Sequence, residues 1–138
     1  MDSNKKLTGQ GGSVWVNNEL WTDVKSIEFK ITGNFDTYTQ LGSFGEGNVF
    51  TGFSAEGTIV LTKETSRGAS LLADSFKTGK MPEIKIVTKV TNAASGESER
   101  WCLTDVVFTE LGTKLEKGVI EEELPFKFSD YEVLETIN

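Results

Sequence analysis

Three stretches of this chain place an apolar residue at every second position, and that spacing dictates strands. Ile27, Phe29 and Ile31 alternate with Glu28, Lys30 and Thr32. Phe53, Ala55, Gly57, Ile59 and Leu61 alternate with Ser54, Glu56, Thr58, Val60 and Thr62. Leu124, Phe126 and Phe128 follow three consecutive carboxylates, Glu121, Glu122 and Glu123. Successive strand side chains point to opposite faces, so each stretch offers one face to a core and the other to water. The same geometry divides the acids. Glu121 and Glu123 point one way and Glu122 the other, so they do not converge on a calcium ion. Pro125 has no N–H to give a ladder, which predicts an edge position or a bulge for its strand.

The remaining elements follow from turn and cap signals. Val14-Trp15-Val16, Asn17-Asn18 and Glu19–Val24 spell a tight hairpin, because asparagine tolerates the positive φ of a two-residue turn. Lys30–Thr62 reads as one long hairpin, with 34–52 as a long, irregular tip rich in Gly, Thr, Ser and Asn. Ser66–Thr78 is the one good helix: Thr65 or Ser66 caps it, Ala69, Leu72, Ala73 and Phe76 form its apolar stripe, and Gly79 and Pro82 end it. Ile84–Val90 and Arg100–Thr109 are further strands, joined by the turn Asn92–Glu99, and Val119–Ser129 is the last. Strands without βα alternation predict a mainly β fold, an antiparallel sandwich or barrel with one packed α-helix. The expected organisation is a flexible arm over 1–12 and a single β domain over 13–138.

Composition narrows the chemistry. The chain has 138 residues and no histidine, so a Ser-His-Asp triad, a Cys-His dyad and a histidine zinc site are ruled out. Cys102 is the single cysteine and supports no intrachain disulfide, which fits a reducing compartment. The net charge of -7 carries no basic stripe for tracking nucleic acid. No apolar run approaches the ~20 residues of a membrane span, and Met1–Gly12 has no hydrophobic signal core, so export by a cleaved signal is not expected. No cofactor, metal or catalytic residue is expected. Gly45-x-Gly47 reaches Phe50 where a dinucleotide fingerprint needs glycine, and no helix follows. Cys102 suits a small core residue better than a nucleophile. Trp15, Trp21 and Trp101 keep one alternative open, a monomeric β-sandwich binding a ligand or carbohydrate.

Four segments, in order along the chain, resemble the tail tube proteins of contractile phage tails and phage-tail-like bacteriocins. They are the opening hairpin Gly12–Leu20, the strand Gly52–Leu61 ahead of the Lys63–Lys80 helix, the Gly96–Phe108 turn and strand, and the closing acidic-Leu-Pro-Phe-x-Phe-x-Asp-aromatic run Glu121–Glu132. The resemblance implies a structural protein and no enzyme: hexameric rings of this chain, stacked into the inner tube of a tail. Such a tube conducts DNA as passing cargo, or acts as a needle that meets a membrane only at target-cell penetration. Its implied partners are further copies of itself and sheath, baseplate and tape-measure proteins. Its implied location is the tail or tail-like particle, assembled in the host bacterial cytoplasm. Tyr38, Leu41, Phe44, Val49 and Phe50 at the long tip, with Trp15, Glu121, Glu123 and Pro125, are then the candidate inter-ring and inter-subunit contacts.

Overall fold

The alternating stretches do form strands. In the computed structural model, residues 12–39, 41–42, 44–62, 67–92, 95–112 and 117–137 are described. Among them run β1 (Gly12–Val16), β2 (Glu19–Leu20), β3 (Val24–Thr39), β4 (Glu46–Thr62), α1 (Arg67–Thr78), β5 (Ile84–Thr91), β6 (Ser98–Phe108), β7 (Glu121–Phe128) and β8 (Asp130–Glu135). The sheet order is β2-β1-β5-β6-β7-β4-β3, with β8 also beside β6, and every pairing is antiparallel. The expected mainly β fold with one helix is what forms. The sheet curls around one core, to which β1, β4, β5, β6, β7 and α1 contribute Val14, Ile59, Ile86, Leu103, Phe126 and Leu72 among others.

The opening turn has the predicted backbone. Asn17 and Asn18 have φ of 51° and 69°, both in the region that a two-residue hairpin turn demands. Asn17 does more than turn the chain: its side chain donates to the Glu83 carbonyl and accepts from the Lys85 N–H, which pins the hairpin to the start of β5.

Two of the sheet's bulges set which side chains share a face. On β6, Trp101 and Leu103 face inward, but the next inward residues are Val106 and Phe108. Against β5, the pairs Ile84↔Val106 and Ile86↔Leu103 leave β6 one residue longer; Asp105, at φ 53°, lies in that stretch, and its carboxylate accepts from Ser129 Oγ at 3.2 Å. Opposite it, β7 and β8 are one strand with a break at Ser129. The register is the same on both sides of the break, from Phe108↔Phe126 and Val107↔Lys127 to Thr104↔Asp130 and Leu103↔Tyr131. A bulge bends its strand, and this one turns the sheet so that its two halves enclose the core. The second bulge, at Thr51, lies between the pairs Asn34↔Gly52 and Phe35↔Phe50. Gly52 there has φ 145°, open to glycine and strained for other residues.

Several sequence expectations need correction. The irregular tip over 34–52 is mostly strand, since pairing continues outward to Thr39↔Glu46. Phe35, Tyr38, Val49, Phe50 and the threonines favour extended backbone strongly enough to override the local glycines. The strand bearing Pro125 is interior, between β4 and β6. Thr109 N–H donates to the Pro125 carbonyl, so the proline nitrogen faces Thr109, just past the end of β6. The missing donor therefore falls outside both regular ladders, which is how a proline fits an inner strand. The helix is also rotated from its predicted stripe. Gly68 and Leu72 are buried and Leu71 partly so, while Ala69, Ala73 and Phe76 are exposed. The two leucines offer more apolar surface than the alanines. Gly79 closes the helix as expected, at φ 76° with its N–H on the Ser75 carbonyl. The proposed caps Thr65 and Ser66, and the arm Met1–Gly12 apart from Gly12 itself, lie outside the described residues.

The acids of β7 divide as their alternation requires. Glu121 and Glu123 are exposed, whereas Glu122 is buried on the core face with Leu124, Phe126 and Phe128. Its carboxylate lies against Gly68, in the space that a Cβ would occupy, at the N-terminal turn of α1. A helix N-terminus carries partial positive charge and suits a carboxylate.

Gly57 sits between Phe29 and Phe126 in the register. A Cβ there would meet Phe126 Cζ at 2.5 Å, Phe29 Cβ at 2.9 Å and the Glu28 carbonyl oxygen. Backbone on one side and a packed ring on the other leave no room to give. Gly57→Ala is therefore expected to cost about 1–3 kcal/mol, the usual range for overpacking. Thermal unfolding followed by circular dichroism measures it, and an unchanged Tm would refute this account.

Candidate assembly surface

Beyond the core, β3 and β4 continue together as a two-stranded arm. Paired residues share a face. Phe35 and Phe50 meet edge-on with centroids 5.4 Å apart on one face, the face that also carries Gly33 and Phe53. The bulge at Thr51 produces this, because it brings Phe50 into line with Phe53 despite their three-residue spacing. The opposite face carries Asp36, Val49 and Tyr38, whose ring covers Gly47 where a Cβ would stand. At the tip, Leu41 and Phe44 have relative exposures of 106% and 109%, so none of the described residues covers them.

The Phe53 face leads back to the core. Phe53 packs edge-on to Tyr131 at 5.7 Å, Tyr131 lies 5.8 Å from Trp101, and Trp101 lies 5.4 Å from Phe29. Tyr131, Val133 and Leu134 on β8 are themselves exposed. An apolar strip thus runs out of the core onto the surface, along the arm and β8. The outer edge of β3 has no strand beside it, and neither does that of β8, among the described residues. Open edges of this kind invite pairing with another chain.

The nine candidate residues do not form one site. Tyr38, Leu41, Phe44, Val49 and Phe50 share the arm, though Phe50 faces away from Tyr38 and Val49. Glu121, Glu123 and Pro125 lie on the outer face of β7, where Glu121 pairs with Lys25 at 2.6 Å and Pro125 is half-buried. Both members of that ion pair are about half exposed, which makes it worth little. Trp15 is half-buried on the outer side of the other half of the sheet, in register with Leu20 and Val87. The candidate set omits Phe35, Phe53 and Tyr131, which extend the same apolar strip. Phe35 is signalled in the sequence by its position one turn of alternation beyond Ile31 and Gly33.

Among the described residues no group of three or more carboxylates and cysteines is placed to hold a metal ion. Trp21 is buried, and the Trp101 indole N–H donates to Glu99. Cys102 is buried. What distinguishes the molecule is an extended arm with uncovered aromatics beside open sheet edges.

The model of the family described as "Phage tail tube protein" matches residues 1–135. The chain belongs to this family. It is a structural tail component and not an enzyme. Among curated relatives, the tail tube chain is similar to the phage-like element PBSX protein XkdM of Bacillus subtilis, at 27% identity over 96% of its own length and 92% of XkdM. Among solved structures it is similar in fold to the tube-terminating cap of the anti-feeding prophage, with a TM-score of 0.78 at 10% identity over 99% of this chain and 95% of that one. It also matches the sheath-tube complex of an extracellular contractile injection system in its extended state, with a TM-score of 0.74 at 14% identity over 97% and 95%. At those identities the likeness concerns the fold alone.

Proposed function

We propose that copies of this chain assemble into hexameric rings that stack into the hollow inner tube of a contractile tail or tail-like particle. The observation that carries this reading is the β3–β4 arm, whose tip residues Leu41 and Phe44 are left uncovered by the described residues. Pairing of open edges between neighbours in a ring covers β3 and β8, and arms reaching between rings cover Leu41, Phe44 and the aromatic strip. Tyr38, Val49 and Phe50 join those inter-ring contacts, and Trp15, Glu121, Glu123 and Pro125 contribute from the outer faces of the sheet.

The relation to a phage-like element and the likeness to a sheath-bound tube support a contractile particle, with sheath, baseplate and tape-measure proteins as its other partners. The net charge of -7 suits a lumen that lets DNA pass without adhering, or a needle through which none passes. Residues 13–138 act as one β domain in this assembly, put together in the bacterial cytoplasm before the particle is complete.

Negative-stain electron microscopy of the purified protein over a concentration series tests the reading. Hollow six-fold tubes that lengthen with concentration are expected. A monodisperse monomer at every concentration, with tryptophan fluorescence that responds to oligosaccharide, would return the molecule to the ligand-binding class.

A further inference from the structure

The curled sheet does not close. Between its two ends, the first half of β3 and the β1–β5 side, lies a cleft of about 630 Å³. Its walls include Trp21, Ile27, Phe29 and Trp101, and its rim carries Lys25 and Lys89. Glu99 also lines it, with its carboxylate occupied by the Trp101 indole N–H.

We propose that this cleft receives the hairpin tip of a second copy, with Leu41 and Phe44 against the aromatic walls. The proposal rests on the tube reading above and names the site that such an arm enters. Three observations carry it. Leu41 and Phe44 are wholly exposed at the tip, while the cleft is a partly apolar space that the described residues leave unfilled. The arm carries Asp36 and Glu46 and no basic residue between Gly33 and Phe53, which complements Lys89 at the rim, the neighbouring Lys25 being paired with Glu121.

The third observation is position. The cleft lies at the beginning of β3 and the tip beyond its end, and the twelve steps from Ile27 to Thr39 span about 40 Å at the rise of a strand. A tip at that distance does not reach the cleft of its own subunit. The contact is therefore between opposite ends of two copies, and a head-to-tail contact that does not close propagates as a stack. One hairpin thereby supplies both the plug, at its tip, and a wall of the socket, at its base.

Cross-linking tests this in the assembled protein. Phe44→Cys combined with Ser26→Cys, an exposed position lining the cleft, is treated with a short bismaleimide and run on a denaturing gel. A ladder of covalent multimers is expected, with nothing above a dimer from either single variant. Leu41→Ser and Phe44→Ser, both folded by circular dichroism, are expected to raise the concentration needed for tubes at least about tenfold. If tubes form normally and the double variant gives no ladder, the cleft is not the socket, although the tube reading stands. A cross-link within one subunit between Leu7→Cys and Ser26→Cys assigns the cleft to the chain's own N-terminal segment and overturns the proposal. Failure of the unaltered protein to form tubes under any condition removes the tube reading, and this inference with it.

Discussion

Replacing Thr37–Asn48 with a two-residue Asn-Gly turn between Asp36 and Val49 is expected to abolish tube formation while the subunit stays folded. The paired positions Asp36↔Val49 are in register, so a tight turn closes the hairpin without shifting either strand. Among the described residues, the segment removed contributes no buried residue to the core. Its loss should therefore move Tm by no more than about 4 °C, the effect of roughly 1 kcal/mol in a domain of this size. Assembly should respond very differently, because Leu41, Phe44 and Tyr38 leave together. Sedimentation velocity is expected to show a monomer at concentrations where the unaltered chain forms tubes. Normal tubes from the shortened protein would show that the arm is dispensable.

The opposite behaviour is expected of Phe126→Ala, which attacks the subunit itself. Phe126 is 1% exposed, and its ring packs on Phe108 at 5.9 Å and Phe128 at 6.0 Å, facing Gly57 across the ladder. Gly57 offers no side chain to fill the space left by the ring, so the cavity cannot collapse easily. The expected loss is about 3–5 kcal/mol, within the range for a buried aromatic truncated to alanine. That is a large part of the ~5–15 kcal/mol that keeps such a domain folded. A fall in Tm of roughly 10–20 °C should follow, and tube yield should fall with the folded fraction. Lys127→Ala, one residue along on the exposed face, is expected to change stability by no more than about 0.5 kcal/mol. Equal effects from the two variants would contradict the inward and outward assignment of β7.

Much of this molecule is legible in its residues because strand periodicity is local. Whether Phe126 or Lys127 faces inward depends only on alternation, and Glu122 parts from Glu121 and Glu123 for the same reason. The Asn17-Asn18 turn and the Gly79 helix end are equally local, since each depends on what a few consecutive φ angles permit. The phase slips at Asp105 and Thr51 left traces too, as three-residue gaps from Leu103 to Val106 and from Phe50 to Phe53. Those gaps are interpretable only once the opposing strand shows which residue is extra. The strand character of the arm was hidden in the same way: glycines that break a pattern in isolation are covered by Tyr38 or relieved by a bulge once the two strands pair.

The sequence by itself determined a mainly β chain with one helix, a histidine-free chemistry, and the closing strand whose order of acids and aromatics resembles the family's. Only the tertiary structure decided that Pro125 lies in an inner strand, that Glu122 is buried against α1, and that the hairpin tip and the open cleft lie at opposite ends of the subunit. The physical reason is one of range. Alternation, turns and caps are fixed by neighbours a few residues away, whereas burial of a carboxylate, tolerance of a proline and the distance between plug and socket depend on strands paired across most of the chain.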